Sequence, residues 1–328
     1  MSEEKVTEAM TVVVGGQFGL ESKAPVVGFM TSGYDVAVKA GIPEYADGLY
    51  VRDMFCLSPN LPSGWIHPDC YLIIGPGAVV DLEAFRKEVE IAESLGLDLK
   101  GRLSIDRNAA VFTEKVDYTL KISGKQVTAD EIDELDPYVD DTVGTLDLMI
   151  GEKKSVLVEG VGGAMVSLDH GYYPKCGPRN FTASSVISDV GIPPMYVNGV
   201  VMVVSALAMR GPNDSGPFGN AHEVSGDMIR HRGFSEDVAK LKLRGYRFSF
   251  QDPELLQRAI HLNSPAYLSV TLLEYMFPSV KEQTDFSKFP KEVKKFLKDL
   301  QKQSGVEIVS VSTGKLCDHV VPVLGKIK

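Results

Sequence analysis

Thr11-Val12-Val13-Val14-Gly15-Gly16-Gln17-Phe18-Gly19-Leu20-Glu21-Ser22-Lys23 is a short β-branched run that breaks into a glycine turn and then into residues able to start a helix. A buried strand ending this way is the usual entry to a parallel α/β sheet. Gly15, Gly16 and Gly19 let backbone N–H groups approach an anion closely, and the start of a helix behind them adds positive potential. Lys23 can neutralise a phosphate. The spacing is neither that of a Walker A loop nor that of a Rossmann fingerprint. From the pattern alone, a phosphate-binding turn and a plain turn both stay open.

Working outward, residues 36–38, 71–74, 155–158, 200–204, 268–272 and 306–311 read as further buried strands. Helices lie between them. Asp81 caps one whose apolar positions Leu82, Phe85, Val89, Ala92 and Leu95 keep a 3.6-residue rhythm, and Gly96 ends it. Residues 291–303 form a second, with Val293, Phe296, Leu297 and Leu300 on one face and Gly305 after it. Alternating strands and amphipathic helices predict an α/β fold with a mostly parallel central sheet and helices on both faces. No linker rich in Pro, Gly or Ser divides the chain, so residues 1–328 read as one domain with excursions. The acidic interval 130–141 reads as a solvated helix and loop.

Hydrophobic residues make up 44% and charged residues 24% of the 328, which is ordinary for a globular protein and excludes disorder. A net charge of −10 argues against a nucleic-acid surface, which needs clustered Lys and Arg. The lysines of the late helix (Lys294, Lys295, Lys298, Lys302) are its solvated face. Cys56, Cys70, Cys176 and Cys317 form no CxxC pair, so reduced thiols are expected. The opening MSEEKVTEAM has no apolar signal core, and the apolar run 197–209 is interrupted by Asn198 and Gly199 and too short to span a bilayer. A cytoplasmic protein without a membrane partner is expected.

A second chemistry-bearing stretch runs through residues 157–163 and Ser167-Leu168-Asp169-His170-Gly171-Tyr172-Tyr173-Pro174, then Thr182-Ala183-Ser184-Ser185. Loops mixing acids, a histidine and glycines at strand ends are where α/β proteins place ligands. A turn closed by Asp169 and His170 explains the same residues. Cys176 beside Lys175 reads as a buried structural thiol, and His222, Glu223 and His231 match no metal spacing.

The blocks VVVGGQFG (12–19), LPSG (61–64) with IIGPGAVVD (73–81), LVEG (157–160), SLDHGYYP (167–174), TASSV (182–186), DVGIPP (189–194) and VSTG (311–314) together resemble the adenylosuccinate synthetase family. The resemblance is collinear over nearly the whole chain. It is closest to the short archaeal and phage branch, whose phage members include ligases that start from dGMP. It implies a P-loop-NTPase-related fold and a ligase joining aspartate to the 6-position of a purine (deoxy)nucleotide such as IMP or dGMP. A nucleoside triphosphate (ATP, dATP or GTP) with Mg²⁺ would drive the reaction, with a homodimer sharing its sites.

Residue by residue, the resemblance transfers unevenly. The family's loop GGQWGDEGKG carries an Asp that serves as catalytic base and metal ligand, and here Leu20 stands in its place. Gly15, Gly16, Gln17 and Gly19 match as nucleotide-binding positions, Glu21 and Lys23 match as catalytic ones, and Ser22 and Ala24 replace glycines. Counting back from LPSG puts Asp47 where the family has its catalytic histidine. The phosphate loop GTTGxGxGP has no counterpart within residues 114–159. The EGxQG glutamine becomes Gly162. With Asp169, His170 and Thr182, Gly162 forms the substrate-binding set implied by the resemblance. Arg244 and Arg247 keep two of the four arginines of the aspartate loop, and the base-reading TKxD becomes Thr271-Leu272-Leu273-Glu274. Ser312, Thr313 and Gly314 match beside the base, and no metal ligand can be assigned. Two readings follow: a divergent purine-nucleotide ligase, or a catalytically silent relative that binds nucleotide as a regulator or partner of an active paralogue.

Overall fold

The structure, a computed structural model, describes residues 10–52, 54–112, 127–212 and 214–327. Most of the N-terminal MSEEKVTEAM segment and the first part of the interval 114–159 lie outside the described residues. The chain folds as two compact units interleaved in sequence. The first takes the chain up to Val13, Val27–Val161 and Ala183–Gly199; the second takes Val14–Val26, Gly162–Thr182 and everything from Val200 on.

In the first unit the strands are β1 (Met10–Gly15, up to Val13), β2 (Val36–Lys39), β3 (Asp47–Val51), β4 (Met54–Ser58), β5 (Tyr71–Ile74), β6 (Val79–Asp81), β7 (Leu103–Asp106), β8 (Ala110–Phe112), β9 (Val127–Thr128), β10 (Val139–Asp140) and β11 (Val156–Glu159). Six of them line up in the order β10-β7-β5-β2-β11-β1 with every ladder parallel. All residues of β2, β7 and β11 are buried; residues 36–38 and 156–158 accordingly read as unbroken apolar runs, whereas β7 buries Ser104 and Asp106 and has no such run. α1 (Lys23–Thr31) enters this unit at Val27, and α2 (Leu82–Ser94), α3 (Thr142–Gly151) and α4 (Ala183–Asp189) belong to it. Asp81 caps α2 by accepting from Ala84 N at 2.9 Å.

The acidic interval differs from the helix expected there. It folds as two 3₁₀ turns, Ala129–Glu131 and Asp133–Leu135, before β10. Ala129 and Leu135 are fully buried, and Thr128 with Glu131 closes a capping box over the first turn. Two anchors that close together pin the chain before the ~12 residues a stable helix needs can accumulate.

In the second unit, β12 (Gly199–Ser205), β15 (Tyr267–Thr271), β16 (Glu307–Ser312) and β17 (Val320–Pro322) lie in that order, parallel except for the last pair. β13 (Ala208–Arg210) and β14 (Arg247–Ser249) form a separate antiparallel ribbon. α5 (Gly226–Arg232) and α6 (Glu236–Leu243) close over the ribbon through Leu207, Val224, Ile229, Val238 and Phe248. α7 (Pro253–Asn263), α8 (Leu273–Met276) and α9 (Lys291–Ser304) complete the unit. α9 begins and ends within a residue of its expected bounds and stops at Gly305 with φ 71°. The glycine turn leaves the end of β1 inside this unit, where Gly16 N donates to Val203 O at 2.8 Å.

Candidate active site

Most of the expected site residues belong to the second unit, and of these Gln17, Gly19, Glu21, Lys23 and Gly162 meet at the turn that follows β1. Gln17 is almost fully buried and its amide is consumed by the fold. Its Oε1 accepts from Ser205 N at 2.9 Å and Ser205 Oγ at 2.8 Å, and its Nε2 donates to Gln251 Oε1 at 2.9 Å. Gln17 therefore fixes the turn through its side chain and offers a ligand only its backbone. Gly19 turns the chain with φ 87°. Glu21 accepts the N–H groups of Gln17 at 2.7 Å and Gly19 at 3.0 Å on Oε1. Lys23 is wholly buried, lies 3.7 Å from Glu21 Oε2 and donates to Gly162 O at 2.9 Å. Thr271 Oγ1 donates to Glu21 O and ties the turn to the end of β15. Leu20 is half-buried and has no oxygen to offer.

Gly162 has φ 62°, and a Cβ there would lie 2.7 Å from the Phe181 ring, so only glycine fits where the family has glutamine. Asp169 is exposed and pairs both ways with Asn180: its N–H donates to Asn180 Oδ1 at 3.0 Å and its Oδ2 accepts from Asn180 Nδ2 at 2.7 Å. The turn is thus closed by Asp169 with Asn180, not with the half-buried His170. Thr182 is buried just ahead of α4. Cys176 is half-buried rather than buried, because Pro174, Lys175 and Pro178 around it all face outward.

The two arginines of the expected aspartate loop separate. Arg244 is exposed at the end of α6. Arg247, on β14, donates to Gly216 O at 2.6 Å, pairs with Glu223 in bidentate fashion and lies over the Phe218 ring at 5.2 Å. Lys175, Asp214, Gly216, Pro217 and Arg247 line an open surface basin of about 620 Å³, in which Lys175 Nζ pairs with Asp214 Oδ2 at 2.6 Å. Beside the glycine turn lies a cavity of about 10 Å³ touching Gln17, Phe18, Met165, Phe218 and Gln251, room for about one water.

Glu274 lies in α8, 3% exposed, with no hydrogen-bond partner on Oε2. Burial pushes its carboxyl up to about 7, with Asp237 adding to the rise and Lys281 and Lys315 opposing it. Ser312 and Thr313 are buried; Ser312 Oγ donates to Gly314 O at 3.0 Å and Thr313 Oγ1 donates to Gln283 O at 3.1 Å and His319 O at 3.2 Å. A Cβ on Gly314 would run into the Nδ1 edge of the His319 ring, which keeps this position a glycine. Asp47 belongs to the other unit, where it is buried on β3 opposite Ser58.

Arg210 escaped the sequence reading. It is 2% exposed, stacks on Phe18 at 4.4 Å and donates to Pro217 O at 2.9 Å and Lys175 O at 3.2 Å. Ser205 and Gln251 also escaped, since their partner Gln17 lies 188 and 234 residues away and no local pattern marks them.

Two buried acids give the fold a pH signature. Glu88 of the first unit, like Glu274, is raised by burial from an ordinary 4.5 to about 7, against N–H donors from Asn60 and Leu61. Between about pH 4.5 and 7 the folded chain holds protons that the unfolded chain has released, so stability falls as pH rises through that window and levels off above it. Melting temperature measured from pH 4.5 to 8 is expected to show this slope, and Glu274→Gln to flatten part of it. An unchanged slope in that variant removes Glu274 as a cause.

A family model described as adenylosuccinate synthetase matches residues 12–132 and 115–281. The adenylosuccinate synthetases of Thermococcus sibiricus and Pyrococcus horikoshii are each 27% identical to the chain, covering 94% of it and 97% of their own length. Among solved structures, the fully ligated adenylosuccinate synthetase of Plasmodium falciparum superposes with a TM-score of 0.79 at 18% identity, over 95% of this chain and 99% of that one. The cyanophage S-2L succinoaminodeoxyadenylate synthetase, bound to dGMP and to dATP as an energy donor, gives 0.76 at 21% identity, over 96% and 95%. The large, mostly parallel sheet is the fold of these proteins, and the chain belongs to the adenylosuccinate synthetase family.

Proposed function

We propose that the protein is a divergent ligase that joins aspartate to the 6-position of a purine nucleotide, IMP or dGMP-like, at the expense of a nucleoside triphosphate. What carries this reading is Lys23: a cation buried at the glycine turn of a chain that matches the family over nearly its full length. Burying a charge is costly and persists where partners are supplied, and an amide turn with a lysine is the equipment of phosphoryl transfer. Arg247 and Lys175, at the surface basin, suit a dicarboxylate such as aspartate if it displaces their present partners, Glu223 from Arg247 and Asp214 from Lys175. Arg244, Asp169, His170 and Thr182 remain proposed substrate contacts, and Asp47 the proposed acid.

Glu274 with Ser312, Thr313 and Gly314 is the proposed base-reading group. As a carboxylate it accepts from the two N–H edges of guanine; as an acid it donates to adenine N1 and accepts from its amino group. ATP, dATP and GTP all fit that description.

The residues do not fit a protein-held Mg²⁺. Among the described residues no group of three His, Cys, Asp or Glu stands ready for a metal, Leu20 offers no ligand, and Glu21 is engaged by two amides. Magnesium would arrive with the triphosphate as part of that substrate.

Leu20 also favours a second reading, a catalytically silent relative that still binds nucleotide, because a leucine can neither take a proton nor ligate a metal. The test is a melting panel with Mg²⁺ and ATP, dATP, GTP, IMP, dGMP and aspartate, singly and combined, followed by an assay for succinylated purine. A ligand at ~100 times its dissociation constant adds roughly 2.7 kcal/mol and moves the midpoint by a few degrees. Product formation supports the ligase. A triphosphate shift without product supports the silent relative, and no shift with any ligand sinks both.

A further inference from the structure

The cradle made by the glycine turn already holds an anion, and that anion belongs to the chain. Glu21 Oε1 takes both converging amides, Gln17 N and Gly19 N, and Oε2 faces Lys23 Nζ. The carboxylate and the ammonium are 1% and 0% exposed. The walls are shaped around this group. A Cβ on Gly15 would lie 2.8 Å from Glu21 Oε2, and one on Gly163 would lie 2.6 Å from Oε1 and 2.5 Å from Gly19 N. Gly162 O stands closer still to a Cβ on Gly15, and Gln17 O stands 2.7 Å from one on Gly163, so backbone and carboxylate together require glycine at both positions.

Two amides and a buried lysine form the donor set that receives a phosphoryl oxygen, and a carboxylate satisfies the same set. We infer that Glu21 is the resident anion of this nest: a phosphoryl group enters it only by exchange for the Glu21 carboxylate, so Glu21 sets the affinity of the turn for phosphate. The inference rests on the reading of this turn as a phosphoryl site, and it assigns Glu21 a positioning and gating role rather than that of a catalytic acid or base. Its physical content is a competition. Apparent affinity is the intrinsic affinity multiplied by the fraction of molecules with the nest vacated, so a nest open one time in ten binds about tenfold more weakly than a bare one. The carboxylate also keeps the two amides convergent before any ligand arrives, which avoids an ordering cost on binding.

A template and a plug make opposite predictions for the loss of Glu21. The experiment titrates inorganic phosphate calorimetrically into the full chain and into Glu21→Gln and Glu21→Ala, with circular dichroism confirming that each is folded. Glu21→Gln keeps the volume and removes the competing charge, and a gain in phosphate affinity of about tenfold is expected, with Glu21→Ala gaining at least as much. Unchanged, weaker or undetectable phosphate binding in a folded Glu21→Gln protein overturns the inference. Should both variants unfold, the unaltered protein decides. Phosphate is expected to shift the Glu21 side-chain carboxyl ¹³C resonance together with the Gln17 and Gly19 amide resonances, and saturation without those shifts overturns the inference equally. The ligase reading is judged separately by product formation. An active enzyme whose Glu21→Gln variant gains nothing sinks the gate alone. An inactive one whose variant gains affinity keeps the gate and loses the ligase.

Discussion

Replacing Lys39 by Met is expected to remove about 3–5 kcal/mol of stability and to lower the melting midpoint by roughly 10 °C. Lys39 ends β2 with no exposed surface, and its Nζ lies 3.0 Å from Glu159 Oε1 at the end of β11. The same ammonium donates to Ser58 O at 2.7 Å and Leu61 O at 3.2 Å. Glu159 in turn accepts from Ser63 N at 2.6 Å and Ser63 Oγ at 3.0 Å. The pair thus locks β2, β11, the end of β4 and the LPSG turn together within the first unit. Methionine keeps most of the length of lysine but leaves the Glu159 carboxylate buried without its cation, which is the costly half of the exchange. The double variant Lys39→Met, Glu159→Gln removes both charges and should recover much of the loss, since replacing a whole buried pair by neutral groups is often close to neutral. Denaturant unfolding of the two variants checks this. A double variant as unstable as the single one would mean that the hydrogen bonds to Ser58, Leu61 and Ser63 matter more than charge balance.

These two residues also mark where the sequence stopped being legible. The expected strands ended at Val38 and Val158, because apolar periodicity ends there, while the structure carries each one residue further, to Lys39 and Glu159. Parallel register sets Val38 against Val158 and therefore Lys39 against Glu159. Charge made both residues look like strand ends at the surface, and only the pairing of distant strands shows that each charge cancels the other in the interior. The strands and helices themselves were legible because their signals are local: valine-rich runs for β1, β2, β11 and β12, and Asp81 with Gly96 around α2. The site was legible in part. The glycine turn stood out as a run of glycines after a strand, yet what fills it is a matter of reach. Nothing in Gly-Leu-Glu-Ser-Lys says that the Glu21 side chain folds back onto the amides of Gln17 and Gly19. Arg210 was equally silent, since its role comes from stacking on Phe18, some 190 residues earlier in the chain.

The second large effect concerns Lys23, where stability and chemistry can be separated. Lys23→Met leaves Glu21 buried without the cation 3.7 Å away, so the single variant is expected to lose a few kcal/mol in the manner of Lys39→Met. Lys23→Met with Glu21→Gln removes both charges and should restore most of the melting temperature. Phosphoryl handling should not return with it. A buried lysine aimed at transferring charge is worth on the order of 10²–10³ in rate when it is removed from such a site, and neither methionine nor glutamine supplies that charge. The double variant is therefore expected to melt near the unaltered protein while forming succinylated purine at least about 10²-fold more slowly. In a catalytically silent protein the same variant should lose the melting shift produced by triphosphate. A stable double variant that retains full product formation, or the full triphosphate shift, would show that the turn after β1 is a structural corner and that nucleotide is handled elsewhere in the chain. A restored fold without restored activity would instead place the phosphoryl group at Lys23, because the two substitutions differ from the native pair in charge far more than in volume.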